Sequence, residues 1–129
     1  MKVGNEELKE DIITRGTIGC HGLWKNGSRL DILTFKNKNN SIENCNGEQL
    51  STYSSDWIPV KIQIKYDDYN KKAKITYWIN GTNRGHVNID NVSSSDSYLN
   101  TWYDLSCWAG TMMFDNIEIY SFKNLIEKD

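Results

Sequence analysis

Two neighbouring segments with alternating apolar and polar residues are the strongest constraint on what this chain can fold into. Val60–Tyr66 alternates strictly, and Ala73–Ile79 does so again after a turn. A period of two places successive side chains on opposite faces, so each segment predicts a half-buried β-strand. Asn80-Gly81 follows directly, and this dipeptide is typical of a two-residue hairpin turn, in which both positions need a positive φ. The pattern therefore predicts an antiparallel meander, with residues 85–89 as its third strand.

The rest of the chain has the spacing of turn-forming residues that is typical of an all-β domain. Short apolar stretches alternate with Gly, Asn and Ser clusters from Thr17 onward, as is typical of sandwiches and barrels. Leu30–Phe35 predicts a further strand, Met113–Phe122 a closing strand, and residues 92–100 a Ser-rich loop. Residues 1–16 predict a loosely ordered segment or one short helical turn. We therefore expect residues 1–129 to form a single antiparallel two-sheet β-sandwich.

Composition excludes several classes of partner. The 129 residues can bury a core without cross-links, and the net charge of −2 with a pI near 5.7 gives no basic surface for nucleic acid. No apolar run approaches the roughly 18 residues that a membrane-spanning helix needs. The cysteines Cys20, Cys45 and Cys107 permit at most one internal disulfide, and no pair of them has metal-ligand spacing. We expect them to be buried small apolar residues and predict neither membrane insertion nor a structural zinc site.

The compartment is indicated by two weak signals. The first seven residues have no apolar stretch of the kind found in a signal peptide. Four N-x-S/T sequons are present, and an Asn-rich chain generates such sequons by chance; they begin at Asn26, Asn39, Asn80 and Asn91. The sequence thus fits either an intracellular protein or the mature domain of a secreted one, and we favour an extracellular or secretory-pathway location.

The second half of the chain resembles a known fold family. The hairpin formed by Trp57–Asp67 and Lys74–Gly81 is similar to the back-sheet hairpin of concanavalin A-like lectin and glucanase domains. Leu105–Gly110 followed by Phe114–Phe122 resembles the last two strands of that jelly roll. L-type lectins and laminin-G-like modules end in a similar way. The resemblance covers Trp57–Phe122 and implies a concanavalin A-like jelly roll.

That resemblance implies glycan binding on a concave sheet or at its loop rim. One sugar-binding loop of L-type lectins corresponds to Ser106–Gly110 here. The calcium-binding and sugar-binding Asp and Asn residues of those lectins have no match upstream in this chain, so we predict no cofactor, calcium being possible by resemblance only. Glucanases of this fold carry carboxylates at alternating positions of one strand, and no such run is present.

Residues suited to catalysis are few. Asp67-Asp68 lies in a predicted hairpin turn, where Asp is favoured for local backbone hydrogen bonds. Asp115 and Glu118 fall on opposite faces of the predicted closing strand, so only one of them can face a cleft. Neither His21 nor His86 lies in a recognisable nucleophile motif, and for both we expect a surface or strand-edge position. The chain is therefore predicted not to be an enzyme.

The five tryptophans are the most informative functional residues. A flat ring with a polar N–H stacks on the C–H face of a sugar while neighbouring polar groups bind its hydroxyls. Trp57 and Trp24 are expected in the core, whereas Trp78 is out of phase with the apolar face of its strand. The predicted ligand-binding set is Trp78, Asn80, Arg84, Trp102, Asp104 and Trp108.

Three functions are compatible with these observations. The first is a non-catalytic lectin-like module whose partner is a glycan or glycoprotein. The second is a protein-interaction or structural sandwich of a cell surface or virion, in which the same aromatic residues form a homo-oligomeric or heteromeric interface. The third is a polysaccharide-degrading enzyme with an unrecognised site. We favour them in that order.

Overall fold

The chain folds as an all-β structure. A computed structural model describes residues 1–9, 14–21, 29–67, 69–92 and 102–120. Among these residues the one helical element is a short 3-10 turn at Lys38–Asn40. The strands are Lys2–Val3 (β1), Thr14–His21 (β2), Leu30–Lys36 (β3), Ser41–Asn44 (β4), Gln49–Thr52 (β5), Val60–Asp67 (β6), Lys72–Ile79 (β7), Thr82–Asp90 (β8), Trp102–Cys107 (β9) and Met112–Met113 (β10).

These strands form three antiparallel sheets. The largest has the order β5-β4-β3-β2-β9, the second is the meander β6-β7-β8, and β1 pairs with β10 in a small third sheet. Strands β2 and β9 pair although they are some 80 residues apart in the chain, from Gly16 with Cys107 to His21 with Trp102. This long-range pairing brings the candidate site together.

The five-stranded sheet and the meander share one buried core. Phe35 and Ile42 of the first sheet and Ile75 and Tyr77 of the second are fully buried in it. On β7 the buried residues alternate with more exposed ones, as the period-two pattern requires. The opposite face of the meander points outward and carries lysines and Trp78, which is half-buried.

The hydroxyl of Tyr77, in the meander, bonds to the five-stranded sheet at a bulge in β3. Ile18 pairs with Leu33 and Gly19 pairs with Asp31, so Ile32 is a bulge residue with no counterpart on β2. The Tyr77 hydroxyl donates to the Ile32 carbonyl at 2.6 Å in the buried core. The hydrogen bond satisfies the buried carbonyl of a residue that has no Cα partner on β2.

Replacing Tyr77 with phenylalanine is expected to lower the free energy of unfolding by about 1–3 kcal/mol, because the Ile32 carbonyl would stay buried without this donor. Chemical denaturation of both proteins measures the difference. The matched control is Tyr69→Phe, whose side chain is almost fully exposed and is expected to change stability by less than about 0.5 kcal/mol. Equal stability of Tyr77→Phe and the parent chain would contradict this role.

The meander and its turn confirm the sequence prediction. Asn80 and Gly81 have φ values of 53° and 81°, and Ile79 pairs with Thr82 across them. The predicted strand at Leu30–Phe35 is also present. Of the predicted loop at residues 92–100, residues 93–100 lie outside the described residues, as does Trp24. Val92 is buried, and its amide donates to the Lys71 carbonyl at 3.1 Å.

The closing strand predicted at Met113–Phe122 is wrong for its described part. Only Met112–Met113 forms a strand, and residues 114–120 belong to no strand of the described structure. Asn116 adopts a positive φ of 52°, and its amide donates to the Asp115 carboxylate at 2.8 Å. This local turn interrupts the extended backbone that the alternating pattern favours. Residues 121–122 lie outside the described structure.

Two further expectations need correction. Within residues 1–16, the described positions 1–9 and 14–16 contain strand β1 with its fully buried Val3 and the start of β2, and residues 4–9 carry no helix. The segment is held by hydrogen bonds from Ile58 N to the Met1 carbonyl (2.6 Å) and from Gly4 N to the Thr111 carbonyl (2.7 Å). Residues 10–13 lie outside the described structure. Trp57 is 49% exposed rather than buried, because neighbouring Ile58 takes the core position.

Candidate functional site

The candidate site lies on the outer face of the five-stranded sheet, where β2 and β9 pair. Cys20 and Tyr103 are opposite each other and point inward, Cys20 being fully buried. The alternate residues of β9 therefore face outward, and they are Trp102, Asp104 and Ser106. Their partners on β2 are His21, Gly19 and Thr17.

Gly19 provides the space that the cluster needs. A Cβ atom at this position would overlap three atoms of the Arg29 guanidinium. The absence of a side chain therefore leaves room for the Arg29 guanidinium over Gly19, the residue of β2 that pairs with Asp104. A larger residue here would displace Arg29 from its carboxylate partner.

Arg29 and Asp104 form a two-point ion pair. Arg29 Nε donates to Asp104 Oδ2 at 3.0 Å, and Nη2 donates to Oδ1 at 2.6 Å. Nη2 also donates to the Thr17 hydroxyl at 2.8 Å, and Nη1 bonds to Asp31. This fork-on-carboxylate geometry fixes the orientation of both groups. Both side chains remain partly accessible to solvent.

The Asp104 carboxylate also binds His21, whose ring stacks on Trp102. Asp104 Oδ2 lies 2.5 Å from His21 Nε2, and since an ionised carboxylate only accepts, Nε2 carries the shared hydrogen. The rings of His21 and Trp102 are stacked, with centroids 5.0 Å apart and an interplanar angle of 2°. Trp102 is nevertheless 59% exposed. We name this group, His21, Arg29, Trp102, Asp104 and Ser106, the Trp102 platform.

The electrostatics of the Trp102 platform favour an ionised carboxylate. The Arg29 guanidinium, together with hydrogen bonds from His21 and Ser106, holds the pKa of Asp104 well below its usual range. The Ser106 hydroxyl donates to Asp104 Oδ1 at 3.1 Å. Asp104 therefore acts as a fixed acceptor at neutral pH.

Acid is expected to remove the contribution of Asp104 to stability. Its pKa is lower in the folded than in the unfolded chain, so the contribution is present above about pH 4 and declines as the pH falls further. Thermal unfolding of the parent chain and Asp104→Asn, followed from about pH 7 to about pH 3, measures this. The difference in Tm is expected to narrow with acid. A difference that widens toward low pH would contradict the assignment.

The geometry of the Trp102 platform differs from that of a serine-hydrolase site. Ser106 donates to Asp104 rather than to His21, so it is not arranged as a serine nucleophile with a histidine base. A carboxyl with a lowered pKa is also a poor general acid at neutral pH. What the Trp102 platform offers a ligand is an exposed ring, held in orientation, with charged and hydroxyl groups beside it.

The structure divides the predicted site residues into two groups. Trp102 and Asp104 lie within the Trp102 platform, and Trp108, 66% exposed, follows the end of the same strand. Trp78, Asn80 and Arg84 belong to the meander. Trp78 lies on its outward face under Lys61, whose Nζ is 4.6 Å from the ring centroid, while Asn80 and Arg84 are exposed at and after the hairpin turn. Because the core separates the two sheets, these groups lie on opposite outer faces and do not form one site.

Sequence reasoning missed His21 and Arg29. His21 was predicted at the surface or a strand edge, and it is part of the Trp102 platform at the end of β2. The alternation of Trp102, Asp104 and Ser106 is a signal that one face of β9 is polar. The partners of that face come from a distant strand, which no local pattern indicates.

The cysteines do not form disulfides in this structure. Cys20 is buried, Cys45 is half-buried and Cys107 is exposed, so the expectation of three buried thiols is wrong for Cys107. Burial raises the pKa of Cys20 to about 12, which makes this thiol unreactive.

Within the described ranges, no three His, Cys, Asp or Glu side chains gather where they could hold a metal ion. In the same ranges, no helix is long and apolar enough to cross a membrane.

Comparisons with known proteins do not assign the chain to a family. No protein-family model, no curated protein and no solved structure matches it.

Proposed function

We propose that this chain is a non-catalytic carbohydrate-binding module with a concanavalin A-like jelly-roll sandwich, which holds its glycan on the Trp102 platform. The observation that carries the proposal is the exposed indole of Trp102, whose orientation is fixed by the residues packed against it. His21 stacks on Trp102, and Asp104 in turn holds His21 and Arg29. A ring kept in place in this way loses little conformational freedom when a ligand stacks on it.

The surroundings of Trp102 suit sugar hydroxyls. Arg29 is a donor, Asp31 is an exposed acceptor, and the Ser106 hydroxyl, which donates to Asp104, can accept a hydrogen bond. Sugar rings present apolar C–H faces and hydroxyl edges, so a flat ring beside polar groups matches both. The near-neutral net charge of −2 also favours an uncharged partner over a polyanion.

The proposed partner is a glycan or glycoprotein outside the cell. Three of the four sequon asparagines, Asn39, Asn80 and Asn91, are exposed, as a glycosylation acceptor must be. The fourth, Asn26, lies outside the described residues.

A glycan array followed by calorimetric titration of its best ligands tests the proposal. Dissociation constants between micromolar and millimolar are expected for a single exposed aromatic platform. Absence of binding to every glycan at millimolar concentration would overturn it.

A protein-interaction role is the second candidate, and the position of β9 favours it. β9 is an edge strand of the described five-stranded sheet, and edge strands are ready templates for pairing with another chain. The strand and its continuation expose Trp102, Leu105 and Trp108. Light scattering at micromolar concentrations tests the homo-oligomeric form: a dimer abolished by Leu105→Lys would support it, and a monomer would exclude it.

A further inference from the structure

A second concave site lies away from the Trp102 platform. A cavity of about 430 Å³ is formed where the segment after β1, the 3-10 turn after β3 and the segment after β5 come together. Arg15 of β2 lines it from within the fold. Arg15 and His21 are at opposite ends of β2, about 20 Å apart along an extended strand. The cavity volume is within the range of small-molecule sites.

Arg15 is a buried charge whose donors are incompletely used. Its side chain is only 4% exposed. Nη2 donates to the Gly4 carbonyl at 3.0 Å and to Glu6 Oε2 at 3.1 Å. Its Nε atom is buried and has no acceptor among the described residues. The Tyr53 side chain is also hydrogen-bonded to Arg15. A buried guanidinium donor without an acceptor is costly, so a ligand oxygen that reached Nε would stabilise it.

The charges on the cavity walls determine whether an anionic or a neutral oxygen group can bind to Arg15. Glu6 and Glu7 both line the cavity and outnumber the one cation, Arg15. Hydrogen bonds from Thr111, from the backbone and from Arg15 keep the pKa of Glu6 low, so this carboxylate stays ionised. An anionic ligand would therefore be repelled, whereas a hydroxyl can accept from Arg15 and donate to a carboxylate.

The remaining walls match a ligand of the same kind. They carry amide and hydroxyl groups from Asn5, Asn37, Asn40, Ser54 and Ser55, with the ring of Tyr53. Tyr53 itself is buried and is fixed by its hydroxyl, which donates to the Lys36 carbonyl at 2.7 Å. Amides and hydroxyls both donate and accept, and several of them around one cavity suit a molecule with several hydroxyl groups.

We propose that this cavity binds a neutral polyhydroxylated small molecule, such as a single sugar ring, through Arg15, Glu6 and the surrounding amides. The site does not depend on the Trp102 platform, because it uses other residues at the other end of β2. A glycan on the platform and a sugar ring in this cavity would occupy the chain at the same time.

Saturation-transfer NMR with neutral methyl hexosides tests the proposal on the whole chain, with methyl glucuronide as the anionic probe. Ser55→Tyr adds a ring to the cavity wall at an exposed position, and we expect it to weaken binding of the neutral probe by more than about tenfold. Asn5→Ala, also at an exposed wall position, is expected to weaken it severalfold. Gln63→Tyr, on the outer face of β6, is the matched control and is expected to leave it unchanged.

The outcomes separate the two sites. Binding of a neutral hexoside that survives Trp102→Ala and is lost in Ser55→Tyr supports the cavity, whatever becomes of the platform. Binding lost in Trp102→Ala and kept in Ser55→Tyr would assign it to the platform and overturn the cavity proposal. No neutral binding at millimolar concentration, or a preference for methyl glucuronide, would overturn it as well.

Discussion

Replacing Trp102 with alanine is expected to lower the affinity for a bound glycan by at least about 30-fold, which corresponds to the 2 kcal/mol typical of an aromatic binding hot spot. The indole is 59% exposed and stacked on His21. Removing it takes away the apolar surface on which a sugar would lie. Because the side chain lies outside the core, the variant is expected to fold. Isothermal titration with the best array ligand measures the effect.

The control for this variant is Trp78→Ala. Trp78 is also outward-facing, and Lys61 covers it on the meander. The two substitutions remove the same side chain from opposite faces of the molecule, so general loss of structure would affect both alike. Affinity is expected to fall for Trp102→Ala and to stay at the parent value for Trp78→Ala. The reverse result would move the glycan site to the meander, with Asn80 and Arg84 beside it.

Replacing Asp104 with alanine is expected to reduce glycan affinity by about tenfold and to lower the free energy of unfolding by about 1–3 kcal/mol. The substitution removes two hydrogen bonds from Arg29 and the acceptor of His21. The ring behind Trp102 would then be free to turn, and ordering it again would oppose binding. Titration and chemical denaturation of the same sample measure both effects.

Asp31→Ala is the matched control for that substitution. Asp31 also pairs with Arg29, but it is more exposed than Asp104, and the carboxylate that His21 contacts is that of Asp104. Exposed ion pairs contribute little to stability, with a median below about 1 kcal/mol. We expect this variant to keep the orientation of Trp102 and hence most of the affinity. Parent-like affinity in Asp104→Ala would show that the carboxylate does not position the ring.

The meander is the part of the fold that sequence predicts best. Its strands are adjacent in the chain, their faces follow a period of two, and Asn80-Gly81 determines the turn between them. All of that information is local. The closing strand fails for an equally local reason, since Asn116 adopts a positive φ within an otherwise alternating pattern.

The candidate site is predicted only on the side contributed by β9. Residue type alone indicates Trp102 and Asp104, and the structure brings them together with His21 and Arg29. That meeting depends on the register of β2 against β9 and on Gly19 leaving room for a guanidinium. Neither the register of distant strands nor the path of a long side chain follows from local pattern. Trp57 is exposed where burial is expected because neighbouring Ile58 occupies the buried position.

The most direct test of a glycan site on the Trp102 platform is an NMR titration that follows the indole N–H signals of the five tryptophans. Tryptophan-to-phenylalanine variants assign the signals, and the ligand is the tightest glycan from the array. We predict that the Trp102 signal shifts progressively and saturates with the calorimetric affinity, while the signals of Trp57 and Trp78 stay in place. A Trp102 signal that does not move at saturating glycan would contradict the proposed site.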